Sequence, residues 1–155
     1  MKFAIWTIGT TDESYLKEGI SKYIKRLSHY NKIEYLELKD IKSSGSPQEI
    51  MKKEADLVLG KLKNDDLLIL LDEKGQEFDS VKFSVFIEKL TVMPGKNVVF
   101  LIGGAFGHHD SIRKKATYLV SLSKMTFSHQ MVRLFLTEQL YRAFTILKNE
   151  KYHNI

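Results

Sequence analysis

The apolar run Val98-Val99-Phe100-Leu101-Ile102 ends abruptly on Gly103-Gly104-Ala105-Phe106-Gly107. A short, unbroken apolar run bounded by glycines reads as a strand buried on both faces, which places it inside a parallel sheet with helices above and below. A short basic segment follows, then a second apolar run, Tyr118-Leu119-Val120-Ser121-Leu122, and a turn, Ser123-Lys124-Met125-Thr126-Phe127. A long helix is predicted from about His129 to Lys148. Two strands therefore end in loops of glycine and small hydroxyl residues. In an open α/β sheet ligands sit outside the carboxyl ends of the strands, so these loops are the expected cofactor site.

The earlier chain repeats the same alternation. Phe3 to Ile8 is a nearly continuous apolar strand closed by Gly9, and Asp12 or Ser14 is the expected cap of a helix carrying Leu16, Ile20, Ile24 and Leu27. Lys32 to Leu38 is more polar and reads as an edge strand. After the loop Lys42-Ser43-Ser44-Gly45, Ser46-Pro47-Gln48-Glu49 forms a capping box with proline at the first helical position. Its helix stops near Asn64. Asp66 to Leu71 is the next strand and runs into a turn at Asp72-Glu73-Lys74-Gly75; a helix from about Ser80 to Leu90 and the turn Pro94-Gly95 lead back to Val98. The β-α alternation predicts an α/β fold with a mostly parallel sheet and helices on both faces. No repeat or linker divides it, and residues 1–155 read as a single domain.

The last helix is apolar over an unusual breadth. Val132, Leu136, Leu140, Ala143 and Leu147 form one stripe, widened by Met131, Phe135, Phe144 and Ile146. Gln130, Arg133, Thr137, Tyr141, Arg142, Thr145 and Lys148 leave a narrow polar side. Such a helix needs cover from two directions. The sheet is one, and a second copy of the chain, in a self-complementary homodimer, is the expected other.

Composition excludes several classes. With no cysteine among 155 residues there is no disulfide or thiolate-metal site, which fits a cytoplasmic location. No apolar run approaches the ~20 residues that span a bilayer, and the N-terminus lacks a signal-peptide pattern. The net charge of +5 suits a nucleic-acid partner but serves solubility equally well. The glycine run is neither a G-x-G-x-x-G fingerprint nor a G-x-x-x-x-G-K-[ST] phosphate loop. Paired with Leu71-Asp72 and with Leu122 to Phe127, it offers apolar side chains and free backbone groups, the equipment for an adenine ring rather than a triphosphate. His108, His109 and Asp110 invite a metal reading, but adjacent residues seldom share a metal and no H-x-x-x-H spacing occurs. No metal is expected. Ser121, Ser123 and Ser128 lack the G-x-S-x-G elbow of a serine hydrolase; Ser128 reads as a cap of the final helix.

At this point the chain resembles a known family. Leu101 to Gly107, then Leu122-Ser123-Lys124-Met125-Thr126-Phe127-Ser128-His129-Gln130-Met131-Val132-Arg133, then Glu138-Gln139-Leu140-Tyr141-Arg142-Ala143, and finally Tyr152-His153 occur in the order found in the large-subunit ribosomal RNA pseudouridine-N3 methyltransferases, minimal members of the SPOUT class. The resemblance implies S-adenosylmethionine as methyl donor, a homodimer, a C-terminal trefoil knot, and methylation of N3 of a pseudouridine in the 23S rRNA of an assembled ribosome. It places cofactor contacts on Leu71, Gly103, Leu122, Ser123, Lys124, Met125, Thr126 and Phe127. Three positions depart from the family pattern: Ser128 stands where proline is common, His108-His109 where one apolar residue is usual, and no basic residue follows His153.

RNA-facing groups are expected where the polar side of the last helix meets the tail, at Arg142, Tyr152 and His153, with His129 close by. His153 has the proton affinity of a base near neutral pH, and it equally suits stacking or hydrogen bonding to RNA. No general base is assigned. Two alternatives stay open: a methyltransferase of this class acting on another RNA such as tRNA, and a non-enzymatic ribosome-binding factor.

Overall fold

The structure is a computed structural model that describes residues 2–42 and 44–154. Ser43 of the predicted loop and Ile155 at the tail lie outside the described residues. The elements are β1 (Phe3–Ile8), α1 (Ser14–Leu27), β2 (Ile33–Leu38), α2 (Pro47–Lys61), β3 (Asp66–Glu77), α3 (Ser80–Thr91), β4 (Asn97–Ile102), α4 (Asp110–Lys115), β5 (Tyr118–Ser121) and α5 (Met131–Leu147). Among the described residues five parallel strands form one sheet in the order β2-β1-β4-β3-β5. The apolar runs β1, β3 and β4 are interior, and the more polar β2 is an edge, as its sequence predicts.

Alternation along the strands divides the core in two. Phe3, Ile5, Ile69, Leu71, Phe100 and Ile102 face one layer with residues of α1, α3 and α5. Ala4, Trp6, Ile8, Leu68, Leu70, Val99 and Leu101 face the other, with α2 and α4. Helices thus cover both faces, which is why the interior strands carry no polar alternation.

Local signals set several boundaries. Ser46 Oγ accepts from Glu49 N–H and Pro47 stands in the first turn of α2, so the predicted capping box starts that helix. Ser128 Oγ accepts from Met131 N–H at 3.1 Å and so satisfies the first amide of α5. Neither Asp12 nor Ser14 caps α1: Glu13 holds the cap position without a side-chain bond. The reason is tertiary, since Gln130 Oε1 takes the Asp12 N–H at 3.0 Å and Glu37 takes that of Thr11.

β3 differs more. The predicted turn at Asp72 to Gly75 lies within a strand that continues to Glu77. Val120 of β5 is registered with Leu71 and again with Gln76. A strand residue has one partner on each edge, so the two halves of β3 flank β5 on opposite sides. Gly75 makes the close approach possible. A Cβ there would fall 2.6 Å from the carbonyl carbon of Leu119 and the nitrogen of Val120, far inside contact distance.

The polar side predicted for α5 is also corrected. Arg133, Thr137 and Thr145 are fully buried. Arg133 donates to the carbonyls of Ile8 (2.8 Å) and Gly9 (3.0 Å), to Thr11 Oγ1 (3.0 Å) and to Glu37 Oε2 (3.3 Å). The threonine hydroxyls return to their own helix, Thr137 to the Leu134 carbonyl and Thr145 to that of Arg142. α5 lies on the sheet beside α1 and α3, which supply within one chain much of the cover its breadth requires. Phe135 stays 37% exposed and packs against the exposed ring of Phe127, centroids 5.0 Å apart.

Candidate functional site

Register brings the ends of β4 and β5 beside the middle of β3. Leu71, the last β3 residue paired with β4, is opposite Ile102 of β4 and opposite Val120 of β5, so all three strands leave their shared ladders at one level. The loops that follow enclose a cleft of about 350 Å³. Leu71, Gly103, Leu122, Ser123, Met125, Thr126 and Phe127 all line it, together with His129. Lys124 is the one expected cofactor contact outside the lining; its side chain is exposed.

The loops brace one another. Thr126 Oγ1 donates to Glu73 Oε2 at 2.8 Å, joining the segment after β5 to the one after Leu71. Ser121 Oγ donates to the Ser123 carbonyl (2.8 Å), and Ser123 Oγ accepts from Met125 N–H (3.0 Å), which folds that turn tightly. His108 is buried and its Nε2 lies 2.9 Å from the Leu71 carbonyl, an atom that only accepts, so the ring proton is on Nε2. Burial pushes the His108 pKa down and keeps the ring neutral. The ring also packs on Gly103, where a Cβ would come within 3.0 Å of His108 Cε1.

Asp72 forms the charged rim. Arg113 donates to its Oδ2 through Nε (3.0 Å) and NH2 (2.9 Å), while Lys74 N–H takes Oδ1 (2.9 Å). Burial alone would raise the Asp72 pKa, but the Lys74 amide and the Arg113 guanidinium hold it below the ordinary carboxylate range. His129 is shifted down by burial, with the Arg133 charge adding to the effect.

Asp72 lines the cleft, as its pairing with the glycine run led us to expect, while His108 and Arg113 are lining residues to which the sequence assigned no part in the site. The two histidines drew attention as possible metal ligands and as a departure from the family pattern, and the structure gives each another partner. His109 Nδ1 accepts from Ser111 N–H at 3.1 Å and caps α4. Among the described residues no three His, Cys, Asp or Glu side chains gather as a metal site would require. No helix among the described residues is long and apolar enough to cross a membrane.

The expected RNA-facing residues form a second group. Arg142, Tyr152 and His153 meet around Glu138, whose Oε1 accepts from Arg142 Nε (3.1 Å), Arg142 NH2 (2.5 Å) and Tyr152 Oη (3.0 Å). His153 lines a neighbouring cleft of about 520 Å³, which shares Val120, Ser121, Leu122 and Phe127 with the first. His129 belongs to the first cleft and not to the group at the tail.

An adenosyl group fits this equipment. The first cleft has the size of an ordinary small-ligand site, apolar walls of Leu71, Ile102, Leu122 and Val132, and backbone brought close by a glycine whose missing Cβ leaves room.

Comparison with known proteins agrees with this geometry. A family described as "Predicted SPOUT methyltransferase" matches residues 1–153. The chain is 52% identical over 155 residues to ribosomal RNA large subunit methyltransferase H of Cytophaga hutchinsonii, covering 99% of this chain and all of that one. It is 46% identical over 156 residues to the protein of the same name from Parabacteroides distasonis, covering 99% of each. Among solved structures, the SpoU methyltransferase AviRb from Streptomyces viridochromogenes overlaps 96% of this chain and 61% of that chain, at 13% identity and a TM-score of 0.45, too loose a likeness to argue from. On the full-length match and the identity of its relatives, the chain belongs to the SPOUT methyltransferase family, alongside the ribosomal RNA large subunit methyltransferases H.

Proposed function

We propose that this enzyme transfers a methyl group from S-adenosylmethionine to N3 of a pseudouridine in 23S rRNA, acting as a cytoplasmic homodimer on the assembled ribosome. The observation that carries the reading is the convergence of the loops after Leu71, Ile102 and Ser121 on one cleft. Bound there, the cofactor supplies an electrophilic methyl on a sulfonium. Leu71, Gly103 and the turn Leu122 to Phe127 hold the adenosyl end, and Lys124 contributes backbone or an outward charge.

The chain itself has little covalent chemistry to perform. Held in the first cleft by Leu71, Gly103 and the turn Leu122 to Phe127, S-adenosylmethionine would supply the methyl group for N3, which would give up its proton in exchange. The protein's work is to align N3 and stabilise the charge that develops as the proton leaves. His153 lines the adjoining cleft, with Arg142 bonded to it and Tyr152 beside Arg142, and this reading turns the three toward RNA, with His129 on the cofactor side.

The reading also includes a single domain and a C-terminal trefoil knot. Support for the knot comes from Val120 of β5, which meets both halves of β3, with Gly75 pressed on the backbone beside it. Support for the homodimer comes from the exposed apolar set Met125, Phe127 and Phe135 at the start of α5.

The test is tritiated methyl transfer to ribosomes from cells lacking this enzyme, with the modified nucleotide mapped by mass spectrometry. Label on N3 of a 23S pseudouridine is expected. Label on tRNA, or no saturable calorimetric heat with S-adenosylmethionine, would replace the reading with one of its rivals.

A further inference from the structure

Glu138, Arg142 and His153 form a relay whose direction is fixed by hydrogen-bonding capacity. Glu138 Oε1 holds Arg142 by two N–H groups, and Arg142 NH1 stands 3.0 Å from His153 Nδ1. A guanidinium donates and never accepts, so Nδ1 of His153 supplies the lone pair. The proton of the neutral ring is then on Nε2. The tail is held from a second side, with the Arg142 guanidinium 4.9 Å from the Tyr152 ring centroid and the Tyr152 hydroxyl on Glu138 and 3.2 Å from that of Tyr23.

In the familiar carboxylate–histidine pair the carboxylate accepts a hydrogen bond from Nδ1–H and leaves Nε2 free to act as a base. Here an arginine is interposed and the polarity reverses. The ring's Nδ1 lone pair is already used by the Arg142 NH1 proton.

We propose that Glu138 and Arg142 lock His153 in its Nε2–H tautomer, so that His153 meets the RNA as a hydrogen-bond donor to an oxygen and is not the group that takes the N3 proton. The chemistry of the acceptor follows from the reaction. An imide nitrogen is flanked by two carbonyl oxygens, and loss of its proton spreads negative charge onto them. A donor on one of these oxygens stabilises that anion, the part an oxyanion-hole donor plays in acyl transfer, while the N3 proton passes to solvent water. Glu138 and Arg142 are positioning residues in this scheme, acting only through His153. The tautomer stands on the geometry alone; the oxygen it serves rests on the function proposed above.

The experiment has two arms that fail separately. Long-range proton–nitrogen spectra of histidine-labelled protein, with His153 assigned through His153→Gln, read the tautomer without substrate. Wild type is expected to show Nε2 protonated and Nδ1 bare at neutral pH, and Arg142→Met to shift the ring toward the mixture of free imidazole. A protonated Nδ1, or a ratio that Arg142→Met leaves unchanged, overturns the lock.

In single-turnover methylation His153→Gln, which keeps an N–H donor, should stay within a few-fold of wild type, while His153→Phe should lose roughly tenfold or more, the worth of a hydrogen bond to a charged group. The pH–rate profiles of wild type and His153→Gln should superimpose. A His153→Gln enzyme as slow as His153→Phe, down by the ~10²–10⁴ typical of a lost general base, would make His153 the proton acceptor and overturn the donor assignment.

Discussion

Arg133 and Arg142 sit on the same helix, yet they belong to different kinds of region. Arg133 is fully buried, and it reaches the Ile8 and Gly9 carbonyls at the end of β1, the His129 carbonyl and Thr11 Oγ1, with Glu37 at the edge of the group. Its side chain seals the start of α5 to the sheet, and so fixes the approach of the loop that lines the first cleft. Arg142 keeps 25% of its side chain exposed and bonds to side chains, Glu138 and His153. Hydrogen bonding to Glu138 raises its already high pKa further. Carbonyls cannot rotate away or change protonation, whereas side chains do both. The contrast teaches that one end of α5 is built to stay and the other to be adjusted by what binds.

The sharpest way to break this comparison is Arg133→Met. The methionine fills much of the volume but takes a donor from the buried Ile8 and Gly9 carbonyls, while Glu37, partly exposed, keeps the Thr11 N–H. Each buried acceptor left unpaired costs about 1–3 kcal/mol, and urea denaturation should show the loss as a lowered midpoint with an unchanged slope. A loss below about 1 kcal/mol would mean that the two arginines are equivalent and that burial decides nothing here.

Glu54 supplies the converse, a buried carboxyl facing another negative charge. It is 8% exposed on α2 and packs against the cofactor loop, where a Cβ on Gly104 would come within 2.8 Å of its Oε1. Burial, and then the charge of Asp40, push its pKa up from 4.5 to about 7. The sign follows from linkage. Below about pH 4.5 the group is protonated in both folded and unfolded chains and costs nothing. As pH rises toward 7 the unfolded chain ionises first, and the penalty grows to a plateau of up to roughly 3 kcal/mol above the folded pKa. Glu54→Gln should therefore stabilise the protein at pH 8 by up to that amount and leave it unchanged at pH 4. Equal gains at both values would show that shape, not charge, sets the cost.

Ser128→Ala separates the local cap of α5 from the arginine clamp behind it. Losing the bond to Met131 N–H should cost about 1 kcal/mol, additive with Arg133→Met only if the two act independently. A double-mutant cycle in the same denaturant assay measures the coupling.

The sequence made one end of this contrast visible and hid the other. Apolar runs closed by Gly9 and Gly103, the Ser46-Pro47 box and the hydroxyl-rich turn after Ser121 are local signals, and the fold class and the cleft follow from them because each acts within a few residues of itself. Arg133 gave no such signal. Helical periodicity assigns an arginine between apolar neighbours to the wet side, and only the carbonyl ends of β1, more than a hundred residues earlier, make its burial favourable. β3 was cut at Asp72 for the same reason: Asp-Glu-Lys-Gly is turn chemistry, and its pairing with the far edge of β5 exists only once the chain has been carried around. Lys124 shows the limit from the other direction, since a motif fixes which residues are present but not which way each points.

Arg142→Met should have the smallest effect on stability of the four and a large one on turnover. A partly exposed helical ion pair contributes about 0–1 kcal/mol, and the tail keeps its Tyr152 bond to Glu138. Thermal unfolding should thus shift by no more than a few degrees. Methyl transfer should fall because His153 loses the partner that sets its tautomer, while the affinity for S-adenosylmethionine, measured by calorimetry, stays near wild type because the first cleft does not include Arg142. That combination, intact fold and intact cofactor binding with impaired transfer, is what a residue acting only at the RNA side must give. If cofactor affinity falls with turnover, the clefts are coupled through their shared wall of Ser121, Leu122 and Phe127, and the two ends of α5 are one device rather than two.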